Sequence, residues 1–394
     1  MAERLIIKNF GPIKDVDLTF GRFNVLIGEQ ATGKSTVLKL LAVCRYFSYI
    51  INVLPSQKNP FTEGLWDWGL LEFREENSYI NYICEDYQLT YYSVPEIIFE
   101  SKNSIRRPGL FDFKLTNPSE RFKTLLSELS ELQQENKGVP YTFFKTSVAQ
   151  VMQNPLFLGT ERDSNFLDFP TSSLKGSIEN SEKLRQIKNR LFGEVAIDPL
   201  GISYRTEGND PLIKKKGETA FHKLSNSASG YQSAIPIVLS MKSYSNPPDF
   251  PVSFPIVFSK PKTFIIEEPE LNLFPIAQYE LMKFLVDKTM NFGNKMFLAT
   301  HSPYVLSSLN TLMNAFQSGQ KDAIATEKII PKEFWLNPDE VSAYFLKPDG
   351  TCECIIDSEE KMIKSEKIDE ASSILNRDFN DLLNIQFGIA NEES

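Results

Sequence analysis

"RFNVLIGEQATGKSTVLKLL", residues 22–41, runs from an apolar strand through a glycine-bearing loop into a helix. Within it, Gly28-Glu29-Gln30-Ala31-Thr32-Gly33-Lys34-Ser35-Thr36 fits G-x-x-x-x-G-K-[ST] at every fixed position. The glycines of such a loop let backbone N–H groups curl around phosphate oxygens, and the helix that follows points its positive end at them. Lys34 is then the cation for the β- and γ-phosphates and Ser35 the hydroxyl for Mg²⁺, with Gln30, Ala31, Thr32 and Thr36 completing the cradle. A chance glycine-rich turn would not need a strand directly before it and helix-spaced apolar residues directly after it. Both are present.

"TFIIEEPELNLFP", residues 263–275, places Glu267 and Glu268 at the end of the apolar run Phe264-Ile265-Ile266. Buried carboxylates are costly unless a cation faces them. A strand ending in acidic residues beside a phosphate loop is the second half of a nucleotide site. Glu267 would hold Mg²⁺ through a coordinated water, and Glu268 would orient and deprotonate an attacking water. The other reading, an exposed edge pair of solvated glutamates, sits poorly with three apolar residues before them.

Two further stretches bear on the same site. "KMFLATHSPYVL", residues 295–306, is another apolar strand that ends at His301, about one helix beyond the glutamates, where it is placed to act as a γ-phosphate switch. "LSNSASGYQSAIPIVLSM", residues 224–241, sets Ser229-Gly230 at the start of an apolar helix. A serine and free amides at a helix N-terminus form an anion site; standing alone, this stretch would read as an ordinary capped helix.

Composition narrows the function classes. With 41% hydrophobic and 24% charged residues, the chain has an ordinary globular balance. A net charge of −9 argues against a protein that coats nucleic acid, while allowing a local basic patch. No apolar run approaches the ~18 residues of a membrane span, and "MAERLIIKNF" reads as a strand and not a leader. His222 and His301 are the only histidines, so a histidine-based metal site is not expected. Cys352 and Cys354 alternate on one strand without a partner pair, which speaks against zinc. The expectation is a reduced, cytoplasmic protein.

Along the chain, "RLIIKNF" and "DVDLTF" read as an antiparallel pair joined at Gly11-Pro12. From about 55 to 155 the pattern is irregular, apart from a helix beginning "NPSERFKTLLSELSELQQEN", where Asn117 caps, Pro118 takes the first helical position and Glu120 closes a capping box. "NSEKLRQIKNRLFG" is a second helix, stopped by Gly193. "GISYRTEGNDPLIKKKG" is a pair of strands, residues 245–261 a proline-rich loop, and "VSAYFLKPDGTCECII" a hairpin around Pro348-Asp349-Gly350 before an acidic helical end.

This order of parts resembles the ATP-binding-cassette ATPase superfamily in its RecF/SMC-like branch, and in particular the heads of OLD-type nucleases and related stand-alone AAA-type ATPases. The matching stretches are "GEQATGKST" (Walker A), "SASGYQS" (signature), "FIIEEPELNLFP" (Walker B and D-loop), "ATHSPYVL" (H-loop) and the opening hairpin. "FLGTER", with Glu161 and Arg162, is similar to a strand-end motif of the same proteins. Tyr231 replaces the signature's second glycine, and Phe274 a histidine often found before the D-loop proline; Gln150 and Gln153 are the candidates for a Q-loop glutamine.

The resemblance implies an α/β ABC-ATPase head: a P-loop core sheet, an N-terminal antiparallel β subdomain and an inserted, partly helical arm. Residues 1–54 would carry Walker A, 55–155 the arm, 156–310 the remaining motifs, and 311–394 a hairpin and helix completing the head. It implies ATP and Mg²⁺ as ligands. It also implies a head-to-tail dimer, or higher oligomer, in which Ser229 and Gly230 of one copy complete the other's site. Of the 394 residues only 93 follow His301, and they contain no Asp-x-Asp pair of the TOPRIM type. An ATPase without its own nuclease is therefore expected. Two functions fit: the sensor and gate for a separate effector (nuclease or toxin) from the same operon in antiphage defence, or a RecF-like DNA-binding repair clamp. The acidic balance and short arm favour the first. Arg106-Arg107 and Lys214–Lys216 are the obvious basic clusters and read more readily as solvated loop charge than as a DNA path.

Overall fold

A computed structural model of the chain describes residues 2–50, 61, 64–65, 68–93, 98–101, 104–106, 109–116, 156–158, 194–207, 210–245, 263–364 and 370–387. The helices read at "NPSERFKTLLSELSELQQEN" and "NSEKLRQIKNRLFG", the loop after Ser245, Glu161-Arg162 and both Q-loop candidates lie outside these residues.

The chain opens with β1 (Glu3–Phe10) and β2 (Ile13–Phe20), paired antiparallel with Ile7 opposite Val16. The turn between them needs Gly11, which has a φ of +55°. Next come β3 (Phe23–Gly28), the loop 29–33 and α1 (Lys34–Ile50). β4 (Arg74–Ile83), β5 (Tyr87–Ser93), a small hairpin of β6 (Ile98–Ser101) and β7 (Ser104–Arg106), and β8 (Gly109–Leu115) follow. After β9 (Leu156–Leu158), an antiparallel sheet of β10 (Val195–Ile197), β11 (Ile202–Glu207), β12 (Asp210–Lys215) and β13 (His222–Lys223) leads into α2 (Ser229–Ser245). β14 (Thr263–Glu267), α3 (Pro275–Met290), β15 (Lys295–Thr300), α4 (Pro303–Gly319) and the short α5 (Ala323–Glu327) come next. The hairpin β16 (Val341–Leu346) and β17 (Cys352–Cys354) and helix α6 (Glu370–Phe387) complete the described chain.

The central sheet has the order β17-β16-β3-β15-β14-β9. Its inner strands are parallel, with Thr300 beside Ile27, Glu267 beside Ala299 and Leu346 beside Gly28. Both faces are covered, which explains the unbroken apolar runs seen in the sequence. Side chains alternate across the sheet. Val25, Ile27, Phe264, Ile266, Met296 and Leu298 pack into one core with α2, α3 and α4. Leu26, Ile265, Phe297 and Ala299 face the opposite core, shared with α1 and the N-terminal sheet.

Here the structure corrects one expectation. Residues 74–93 and 109–115, read as part of an irregular arm, extend the N-terminal sheet instead, in the order β2-β1-β4-β5-β8. Ile80 and Tyr82 of β4 lie opposite Ile7 and Leu5 and are buried with Leu89 and Tyr91. Tyrosines with polar tips and buried rings blur the alternation on which a strand reading depends. A second expectation also changes: Lys214 is not in a loop but in β12, where it pairs with Glu194 at 2.9 Å and lies over the Phe221 ring.

The two sheets are joined by one charged knot. Glu3, buried at the start of β1, accepts from Arg45 Nε of α1 at 2.8 Å and from the Tyr82 hydroxyl at 2.7 Å, and pairs with Lys295 at the start of β15. Arg45 also donates to the Thr263 hydroxyl at the start of β14. Burial alone would raise the Glu3 pKa, but the charges and hydrogen bonds of Arg45 and Lys295 bring it down to about 2.

A carboxyl whose pKa is depressed by folding stabilises the fold above its unfolded value and stops doing so as pH falls through the folded value. Native stability should therefore decline between the ordinary carboxylate range and pH about 2. Glu3→Gln should lower stability at pH 7 by about 3 kcal/mol, because two cations lose their counter-charge, and should flatten that acid limb. Urea unfolding as a function of pH measures both effects. An unchanged acid limb in the variant would contradict the assignment.

Candidate active site

The parallel register puts the ends of β3, β14 and β15 at one edge of the central sheet. β3 ends at Gly28, which lies so close to β16 that a Cβ there would come within 2.4 Å of the Leu346 carbonyl oxygen and 2.9 Å of Thr32 Oγ1. Gly33 has a φ of +98°, and a Cβ would come within 3.0 Å of Ile13. Ala31 takes a left-handed φ of +62° despite its side chain. Thr32 Oγ1 donates to the Glu29 carbonyl at 2.9 Å, and Val37 N donates to Gly33 O at 2.9 Å as α1 begins. Glu29, Gln30, Ala31 and Ser35 are exposed, while Thr32, Lys34 and Thr36 are buried.

Lys34 turns its ammonium back into the loop, donating to the carbonyls of Gly28 at 2.8 Å and Glu29 at 2.7 Å. Burial lowers its pKa to about 8, against the opposing pull of Glu268, Glu270 and Glu267. Glu267 is the buried last residue of β14. Glu268 leaves the strand at φ +44°, its N–H donating to Ala299 O at 2.7 Å. His301 follows β15 directly, with Nε2 3.6 Å from Glu268 Oε1. The sequence-derived Lys34, Glu267, Glu268 and His301 thus lie at one sheet edge.

Ser229 and Gly230 open α2 with Ser229 exposed. A Cβ on Gly230 would come within 2.6 Å of Asn272 O and 3.1 Å of Leu273, so this helix start sits against the turn that follows the glutamates. Asn272 holds that turn at φ +61°. Tyr231, in place of a second glycine, packs against the helix-side core. Phe274 is 74% exposed just ahead of Pro275.

One residue escaped the sequence reading. Glu270 Oε1 accepts from Thr300 Oγ1 and from His301 N, both at 2.8 Å. The only trace of it was a third acidic residue in "EEPE", two positions past Glu268.

Among the described residues no cluster of three His, Cys, Asp or Glu side chains is placed to hold a metal by itself. Mg²⁺ keeps waters and takes only one or two protein ligands beside phosphate oxygens, rather than an all-protein cage. The exposed Ser35 hydroxyl and the Glu267 carboxylate are the right ligand chemistry. No described helix is long and apolar enough to cross a membrane.

Comparison with known proteins adds a family. The AAA ATPase domain profile matches residues 92–306, more than half of the chain and inclusive of Ser229, Glu267, Glu268 and His301. No curated protein sequence matches. Among solved structures, the SMC head domain from Thermotoga maritima is similar at 12% identity and TM-score 0.41, covering 78% of this chain and 92% of that one. An SmcHead bound to the C-winged helix domain of ScpA is similar at 9% identity and TM-score 0.47, covering 90% and 96%. A third, the Pyrococcus furiosus Smc head domain with an extended coiled coil bound to the C-terminal domain of ScpA, is similar at 10% and 0.41, covering 95% and 98%.

The contact at Gly230 gives a prediction. Gly230→Ala must push the start of α2 away from the Asn272 carbonyl, which is backbone and cannot swing aside. It should cost about 1–3 kcal/mol of stability in urea unfolding. Gly230 has a helical backbone, so without the close approach alanine there would be about 1 kcal/mol more stable than glycine. Unchanged or raised stability in Gly230→Ala would argue against the close approach.

Proposed function

This chain belongs to the AAA ATPase domain family, and on that footing we propose that it is a Mg²⁺-dependent ATPase subunit that gates a separate effector in bacterial antiphage defence. The observation that carries the ATPase reading is the convergence of Lys34, Glu267, Glu268 and His301 at one end of parallel strands. Lys34 binds the β- and γ-phosphates of ATP in the cradle of Gly28, Gln30, Ala31, Thr32, Gly33 and Thr36. Ser35 and Glu267 would hold Mg²⁺, which supplies neutralisation of phosphate charge when bound. Glu268 orients the attacking water and takes its proton, and His301, beside it, reads the γ-phosphate.

The helix start at the exposed Ser229 supports a shared site. In this reading two copies close head to tail, and the free amides and hydroxyl of one copy dock on the other's γ-phosphate. ATP binding then favours the closed pair and hydrolysis releases it, which is the two-state element a gate requires. In this reading the output belongs to another polypeptide. The resemblance of the ordered motifs to stand-alone ATPases of defence systems supports a nuclease or toxin encoded beside it.

Lys34→Ala should abolish ATP binding, whereas Glu268→Gln should bind ATP normally, lower turnover by about 100-fold or more, and trap the closed pair. Equal loss of affinity in both would contradict the roles. Ser229→Arg should leave ATP binding by the single chain nearly intact and remove ATP-dependent association, as read by sedimentation; full ATPase activity in this variant would rule out the sandwich. Cells carrying the chain with its neighbouring gene should resist some phages, and Glu268→Gln should remove that resistance. DNA cleavage by the purified chain alone, lost in Lys34→Ala, would overturn the gate.

A further inference from the structure

We propose that Glu270 is a positioning residue that sets His301 against Glu268. Its role rests on the ATPase reading above but is tested separately from it. The geometry centres on one carboxylate. Oε1 of Glu270 takes two hydrogen bonds at 2.8 Å, from the buried Thr300 hydroxyl that ends β15 and from the His301 backbone N–H. The same Thr300 oxygen accepts from Ser302 N at 3.0 Å. Ser302 in turn caps α4 through Tyr304 N and donates its hydroxyl to Gln278 of α3 at 2.6 Å. The other arm of Gln278 donates to Leu273 O at 2.9 Å, closing a ring between the turn after the glutamates and the junction of β15 with α4. His301 sits in the middle of that junction, so its backbone cannot shift without breaking the bonds to Glu270.

A structural role alone does not explain the residue type. Satisfying one hydroxyl and one amide at a helix start needs an acceptor, which a neutral glutamine supplies as well. Glu270 instead adds a third carboxylate to a site where Glu267 and Glu268 already face a single Lys34. Like charges at close range are costly, and such costs gather at functional sites. A carboxylate accepts more strongly than an amide oxygen, so it holds the Thr300–His301 corner more rigidly. That corner fixes the 3.6 Å approach of the His301 ring to Glu268.

The proposal separates the acceptor from the charge. Glu270→Ala should leave ATP affinity within about two-fold of wild type while kcat falls about 10- to 100-fold, as expected when a reacting group is displaced by ~1 Å. Glu270→Gln keeps an acceptor and should recover most of that loss.

A second readout needs no ATPase activity. The His301 N–H should exchange at least about ten-fold faster in Glu270→Ala than in wild type, and near the wild-type rate in Glu270→Gln. Because His222 and His301 are the only histidines, the His301 ring resonance is assignable with His222→Gln, and it should move in the alanine variant. Wild-type exchange at His301 in Glu270→Ala overturns the proposal, as does wild-type kcat. Loss of ATP binding in Glu270→Ala would make Glu270 a direct ligand and overturn it too. A glutamine variant as impaired as the alanine variant would show that the charge itself and not the acceptor geometry acts, and would overturn the positioning role. If the wild-type chain hydrolyses no ATP, the ATPase reading fails, and the exchange and resonance data still decide the positioning role.

Discussion

The register of three parallel strands is the constraint from which the rest follows. β15 lies between β3 and β14, with Thr300 beside Ile27 and Ala299 beside Glu267. A slip of one residue in either pairing would turn the apolar faces over and move the glutamates away from the phosphate loop. Two buried cores hold that register: helices α2, α3 and α4 on one side, α1 and the N-terminal sheet on the other. The site therefore costs no separate scaffold. It is the place where three strands run out of sheet together.

What collects there is charge, and its balance explains why the arrangement suits a nucleotide with its metal. Three glutamates act on one lysine, whose pKa burial has lowered to about 8. By itself that group of charges repels an anion. In the proposed reading a divalent cation reverses the sign, so that Glu267, which repels free phosphate, becomes a means of holding a metal–phosphate complex. The charged knot at the opposite ends of the same strands is built the other way. There Arg45 and Lys295 enclose Glu3, and the net effect is to fasten the two sheets together rather than to leave charge for a ligand.

Much of this was legible in the sequence because the signals were local. The phosphate loop shows itself within nine residues, the glutamates through an apolar run that stops at two acids, and His301 through a strand that stops at Thr300. The features missed depend on residues distant in the chain. Glu3 meets Arg45 and Lys295 across 42 and 292 positions, with no pattern to link them. Glu270 reaches Thr300 and His301 across a helix. β4 and β5 were hidden by tyrosines, whose buried rings at Tyr82 and Tyr91 carry polar tips that break a simple apolar alternation. Tyr231, where the resemblance leads one to expect a glycine, packs against the helix-side core.

The central claim is that Lys34, Ser35 and Glu267 form a site for a metal–nucleotide complex. Calorimetric titration of the intact chain with ATP, with Mg²⁺ present and again in EDTA, tests it most directly. The account predicts at least about ten-fold tighter binding with Mg²⁺, and loss of both signals in Lys34→Ala. Equal affinity with and without the metal, or binding that survives the loss of Lys34, would contradict it.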